Sequence, residues 1–257
     1  MTGSHLDRMS DGHETPPVIP VTRAQLFGEE LTRLTRDDGG RLAEIIAELR
    51  HGVRVEPGNL IAINALVHAL AYAGKAEEAH ALAAKAYILM GRLPVVGPDT
   101  LLNVGAGLSE AGRVAEAKAC YERALAQAPI PGLAGNMMNL AVRFGETDWL
   151  KGFWPEHPFL AFLERHDLTD WAEQQRSVEL VLARRVATFH ATITDFHDGT
   201  ERLVIDYFTE TVDPDRLELE EEVWTALEEH YQYDPRGPGA LMGVAIINVH
   251  GPEIPLP

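Results

Sequence analysis

One cysteine, Cys120, is the only thiol in a chain of 257 residues, which excludes an intramolecular disulfide and any cysteine-cluster metal site. Its slot falls inside a predicted helix, where a small buried thiol is the ordinary reading and a reactive one the exception. Positive charge is also scarce: 22 Lys and Arg face 39 Asp and Glu, for a formal net charge of −17. So acidic a surface repels phosphate backbones and anionic lipid headgroups, and neither a nucleic acid nor a membrane is expected as partner. No apolar run reaches the roughly 18 residues of a membrane span, and the N-terminus has no apolar signal core. Together these absences lead to the expectation of a cytoplasmic protein. Glycine-rich phosphate loops and HExxH-type ligand spacing are missing as well, so no cofactor and no metal is expected. The 46% hydrophobic content is enough for a sizeable core.

What the chain does have is a period. Gly40, Gly74, Gly112 and Gly145 stand 34, 38 and 33 residues apart, each amid helical periodicity, as in a stack of two-helix repeats. In the clearest unit, residues 98–131, Leu101, Val104, Gly105 and Leu108 share one face of a first helix. Ala117, Tyr121, Ala124 and Leu125 share one face of the second, and Pro129 stops it. This unit resembles the tetratricopeptide repeat, whose small and aromatic slots are met by Gly105, Ala117, Tyr121, Ala124 and Pro129. Gly105 and Ala117 let the two helices approach closely, while Tyr121 fills the groove toward the next unit. Residues 60–93 fit well with Ile63, Leu66, Gly74, Ala79, Ala83 and Ala86. Residues 26–59 keep Gly40, Leu49 and Pro57 but place Ile45 where alanine is usual. Residues 131–164 keep Met137, Leu140, Ala141 and Gly145, then lose the pattern at Trp149–Trp154.

The resemblance covers residues 26–147 and implies a mainly α fold, a right-handed stack of helix-turn-helix repeats. It also implies a protein or peptide partner held in a concave groove lined by the first helices. The polar positions there are Asn64, His68, Asn103, Asn139 and Arg143. Some family members clamp a peptide's terminal carboxylate with lysines and arginines, and this groove has too little positive charge for that. Asparagine contacts to an extended peptide backbone suit it better, unless the asparagines are simply solvated.

Around the array, residues 1–22 read as a disordered tail, 23–165 as the repeat domain and 166–257 as a capping helix with an acidic α+β domain. KGFWPEHPF suggests an ordered bend packed on the last repeat, and Asp167 or Thr169 is placed to cap a helix running to about Ala183. From residue 184 the period falls to two. RVATFHATITDF and ERLVIDYF pair as a hairpin through His197-Asp198-Gly199, with Gly199 left-handed, so that Ile193 meets Leu203, Ala191 meets Ile205 and Phe189 meets Tyr207. An acidic helix from Asp213 or Asp215 to Tyr231 follows, with Leu217, Val223, Trp224 and Leu227 inward. GALMGVAIINVHG then reads as a central strand buried on both faces, completing a small ββαβ unit.

That unit carries the only candidate chemistry. The register sets His190 opposite Asp206, either as an oriented general base or as metal ligands completed by His250 or Asp195. The plainer alternative is a cross-strand polar pair. His250-Gly251-Pro252-Glu253 marks a strand end, where active residues and simple punctuation both occur. Between Glu201 and Asp234 there are 12 acidic and 2 basic residues, making ELEEEVWTALEEH either a solvated helix face or a docking strip for a basic partner. The expected role is a non-enzymatic adaptor. An enzyme, hydrolytic or metal-dependent, with His190, Asp206 and His250 is the alternative, and a chaperone-like client holder is a further one. Nothing in the residues specifies an oligomeric state.

Overall fold

Short turns shape the helical part of the chain. The computed structural model describes residues 21–168, 170–182, 185–196, 199–210, 215–231 and 244–256. Its helices are α1 (Val21–Leu31), α2 (Gly39–Val55), α3 (Leu60–Tyr72), α4 (Ala76–Met90), α5 (Pro98–Glu110), α6 (Val114–Gln127), α7 (Leu133–Phe144), α8 (Thr147–Phe153), α9 (Pro158–Arg165) and α10 (Trp171–Leu182). The expected tail lies outside the described residues up to position 20. Its last two positions belong instead to α1, which begins at Val21.

Gly74 and Gly112 end α3 and α5 in the same way, with φ of 73° and 69°. In each turn the third residue beyond the helix donates back across five positions, Lys75 to Leu70 O at 2.8 Å and Arg113 to Leu108 O at 2.9 Å. This is the left-handed helix ending that glycine adopts without a Cβ penalty. Gly145 closes α7, also left-handed. Gly40, the first member of the expected glycine series, is different: it lies within the first turn of α2, and α1 joins α2 through residues 32–38 instead.

The turns bring α3 against α4 and α5 against α6, while α2 packs on α3, α4 on α5, and the first helices α1, α3 and α5 touch in succession. Gly105 shows why a small residue is needed there. A Cβ on it would come 2.6 Å from the Tyr121 ring, and Tyr121 is fully buried. After α7 the helices shorten, and Trp149 of α8 lies between Tyr121, tilted to it, and Phe153, edge-on to it. Asp167 does not directly precede α10, which begins at Trp171. It has a positive φ of 54° and ends α9, with Leu168 donating to Leu163 O at 2.9 Å as in the glycine turns. Thr169, the other expected cap, lies outside the described residues.

Strands β1 (Val186–Asp195) and β2 (Glu201–Thr209) form the expected antiparallel hairpin, with Ile193 opposite Leu203, Ala191 opposite Ile205 and His190 opposite Asp206. Gly199 is left-handed as expected, while His197 and Asp198 lie outside the described residues. Helix α11 (Asp215–Tyr231) leads to β3 (Ala245–His250), which pairs parallel with β2. The expected central strand is therefore an edge strand: the order is β1-β2-β3, and β3 alternates buried Ala245, Ile247 and Val249 with half-buried Ile246, Asn248 and His250. Its leading residues 239–243 lie outside the described residues. Leu217 is likewise not inward but 56% exposed, and the buried stripe of α11 is Leu219, Val223 and Leu227. One sheet face, built on Phe189, Leu203, Ile205 and Tyr207, is buried, and the Tyr207 hydroxyl donates to Gln175 of α10 at 3.0 Å. Buried apolar residues from Ala24 to Ile254 form a single connected core.

Candidate functional site

Three consecutive first helices build the principal cleft. Asn64 and His68 of α3 and Asn103 of α5 line it with Thr32, Arg33 and Tyr72, in a volume of about 990 Å³ between α1, α3 and α5. Asn64, His68 and Tyr72 follow one another at helical spacing of four, so α3 presents a single polar stripe to the cleft. Asn103 is exposed, Asn64 is buried, and burial lowers the pKa of the His68 imidazole, keeping it neutral. Arg33 is a cation at one end of the lining, with Glu29 and Asp99 also contributing to it.

The other two expected groove residues sit elsewhere. Asn139 is half-buried on α7, outside that lining. Arg143 is 1% exposed and committed within the protein. Its guanidinium donates to both Glu179 carboxylate oxygens at 2.8 and 3.3 Å and to Glu110 O at 3.1 Å, and it lies over the Phe144 ring. A charge held this way ties α7 to α10, and Arg143 is not available to clamp a guest's carboxylate.

On the second sheet face, His190, Asp206 and His250 share one side, as the register requires. Asp206 Oδ1 accepts from the Asn248 amide at 2.8 Å and lies 2.8 Å from His250 Nε2. His190 turns to a different carboxylate, its Nε2 standing 3.6 Å from Glu253 Oε2. Phe208 separates the two imidazoles, stacked on His250 and edge-on to His190. Asp195 is at the far end of the hairpin opposite Glu201, out of reach of this group. Among the described residues no set of three His, Cys, Asp or Glu side chains could hold a metal ion. The three expected residues thus share a face without forming a ligand set.

Behind His190 lies a buried polar cluster that local sequence patterns do not reveal. Glu110 ends α5, Glu253 follows β3, and one oxygen of each is buried without a hydrogen-bond partner. Burial pushes the Glu110 carboxyl up to about 8, with Glu253 adding to the rise and Arg143 and His190 opposing it. The adjacent Glu253 carboxylate raises the His190 pKa, and Glu110 and Asp206 contribute in the same sense. Tyr72 is pushed up to about 12, first by burial and then by the charges of Glu253 and Glu110. His80 of α4 contacts Val186 O at 3.0 Å and is held down to about 4 by burial and Arg143. The ends of α3, α5 and α7 therefore converge on the sheet through polar groups, and Tyr72 belongs to both this cluster and the cleft.

The acidic strip of α11 faces α10 across a shallow cleft, where Glu218, Glu221, Glu222 and Glu229 surround Leu180 and Ala226. Arg185 offers partial compensation, 3.6 Å from Glu222. In comparisons with known proteins the chain matched no family model, no curated protein and no solved structure.

Proposed function

We propose that this protein is a non-enzymatic adaptor whose tetratricopeptide-like helix pairs hold an extended segment of a partner protein in the cleft between α1, α3 and α5. One observation carries the reading: Asn64, His68 and Asn103 come from separate turns and helices yet line one cleft of about 990 Å³. Amide and imidazole groups supply both donors and acceptors, which suits a guest recognised through its main chain. A volume of that size lies within the range of ordinary ligand sites. A guest recognised through a terminal carboxylate fits poorly, because Arg143 is already paired with Glu179.

The test uses the full chain against a displayed library of random extended peptides. Asn103 is exposed, so Asn103→Arg blocks the cleft without disturbing the core. Selected peptides should lose binding to Asn103→Arg and keep it to a Lys151→Arg control. Equal binding by both variants removes the cleft from consideration.

A second reading rests on Asp206 and His250, whose 2.8 Å contact would orient an imidazole as a general base. The cysteine offers this reading no nucleophile: Cys120 is buried in α6, and burial pushes its thiol up to about 11. Turnover of model esters that disappears in Asp206→Asn would favour it over the adaptor.

A further inference from the structure

Residues 251–256 cross the ends of the first helices as a strap. Ile254 is buried and donates its N–H to Tyr72 O at 2.9 Å. The strap also rests on two glycines. Pro255 O lies so close to Gly39 that a Cβ there would be 2.1 Å away, and the Pro252 ring would be 3.0 Å from a Cβ on Gly74. Two of the six residues are prolines with no N–H to donate, so the Ile254 bond and the Glu253 side chain carry much of the polar attachment.

Glu253 enters a crowded polar space. Tyr72 faces it from α3, Glu110 from α5, His190 from β1 and Asp206 from β2, with His80, Tyr121 and Arg143 bordering the same cluster from α4, α6 and α7. Arg143 is spent on Glu179, and the His190 imidazole stands 3.6 Å from Glu253. The Glu110 and Glu253 oxygens buried here have no hydrogen-bond donor to satisfy them once both are charged.

We propose that the strap is a pH-operated latch, closed while Glu110 is protonated and His190 charged, and released when alkaline conditions leave Glu110 and Glu253 as facing carboxylates. In the closed state His190 offsets Glu253 and Glu110 is neutral. Raising the pH removes one proton from each of His190 and Glu110, shifting the charge of the cluster by two negative units. The His190 and Glu253 side chains are 48% and 32% exposed, but one oxygen each of Glu110 and Glu253 is buried. Like charges so placed repel, and the burial of those two oxygens limits the solvent that screens them. The strap carries Glu253 itself, so the repulsion acts directly on this short segment. Its release would uncover Tyr72 and open that end of the cleft, a consequence that rests on the adaptor reading, although the latch itself does not.

The experiment follows the Ile254 δ-methyl in the full chain labelled with ¹³C-methyl isoleucine, the resonance being assigned by its loss in Ile254→Val. Between pH 6 and 9.5 this methyl should move from its buried position toward that of a solvated isoleucine, with a midpoint no higher than about 8, the pKa of Glu110 in the closed state. Glu110→Gln should remove most of that movement, while methyls of α2 and α3 stay in place in both proteins. An Ile254 methyl that keeps its buried position through pH 9.5 overturns the latch. So does an identical titration in wild type and Glu110→Gln. Either result leaves the cleft reading untouched, because no guest is present.

Discussion

Gly74 and Gly112 form a matched pair of sites for measuring how firmly the C-terminal unit is docked on the helices. Both end a first helix, with φ of 73° and 69° and the same five-residue return bond, so alanine meets the same left-handed strain at each, about 1 kcal/mol. Their surroundings differ. Nothing lies within 4 Å of a Cβ on Gly112. A Cβ on Gly74 would be 3.0 Å from Thr209 O, 3.0 Å from the Pro252 ring and 3.2 Å from Glu210 Cα. Two of those three contacts are backbone, which cannot swing aside as a flexible side chain would, and overpacking of that kind costs roughly 1–3 kcal/mol more. The turn is also tied to the end of β2 by the Lys75–Glu210 ion pair, so displacing β2 strains that contact too.

Calorimetry of the full chain tests the difference. For a protein of this size 1 kcal/mol corresponds to roughly 2–4 °C in Tm. Gly112→Ala should therefore lower Tm by about 3 °C and Gly74→Ala by about 6–12 °C. Gly74→Ala should also increase protease cleavage after β2 and in the strap, which Gly112→Ala should not. Equal losses in the two variants would refute the reasoning, for they would mean that the sheet does not bear on the α3–α4 turn.

Two other substitutions probe the core and the polar cluster. Gly105→Ala drives a methyl to 2.6 Å from the fully buried Tyr121 ring and should cost about 1–3 kcal/mol in urea denaturation, whereas Ala106→Ser, on a less enclosed face of the same helix, should cost less. Glu110 has a folded pKa of about 8 against an ordinary 4.5, so the folded state holds a proton that the unfolded chain has already released. Its contribution to stability must therefore fall as pH rises from about 4.5 to about 8 and level off above that. Each displaced unit is worth about 1.4 kcal/mol before allowance for partial solvent access, so Glu110→Gln should be more stable than wild type by about 1–3 kcal/mol at pH 7.5. His80, held near 4, acts in the opposite direction below pH 6.5. Because the raised pKa of His190 also makes stability fall above pH 6.5, the Glu110 slope is read as the difference between wild type and Glu110→Gln from pH 6.5 to 8.5. A wild-type stability curve as flat as that of the variant over that range would contradict the assignment.

The hairpin was legible residue by residue because its period-two alternation admits one register that puts Phe189, Leu203, Ile205 and Tyr207 on the same face. The helix pairs from α3 to α6 were legible because Gly74 and Gly112 sit where a left-handed residue is needed. Gly40 carried the same letter in a place that needed no such conformation, so spacing alone misassigned it. In the last strand the polar Asn248 and His250 already alternate with Ile247 and Val249, and the apolar residues before them obscured an edge-strand pattern. Asp167 looked like a cap because aspartate usually begins helices, yet it adopts the left-handed ending that glycine takes elsewhere. Glu110, His190 and Glu253 come from three distant stretches of chain, and no local pattern could announce their meeting. Arg143 was misjudged for the same reason, since its partner Glu179 lies on a helix whose docking the repeats do not specify.

The boundary expected at residue 165 has a physical consequence of its own. A fragment ending there would lose Trp171, whose buried indole N–H donates to Val142 O at 2.9 Å, and Glu179, which accepts two bonds from Arg143. It would also lose Val186 O from His80 and Ile254 from Tyr72 O. With α10 and the sheet removed, Arg143 would lose both bonds to Glu179, and the apolar surface covered by Trp171 and Ile254 would meet water. Residues 21–165 made alone should show reduced helicity or associate through the exposed ends of α3, α5 and α7. If the fragment instead melts cooperatively at the temperature of the full chain, the helices do not need the sheet, and the ties through Arg143, His80 and Tyr72 are contacts without energetic weight.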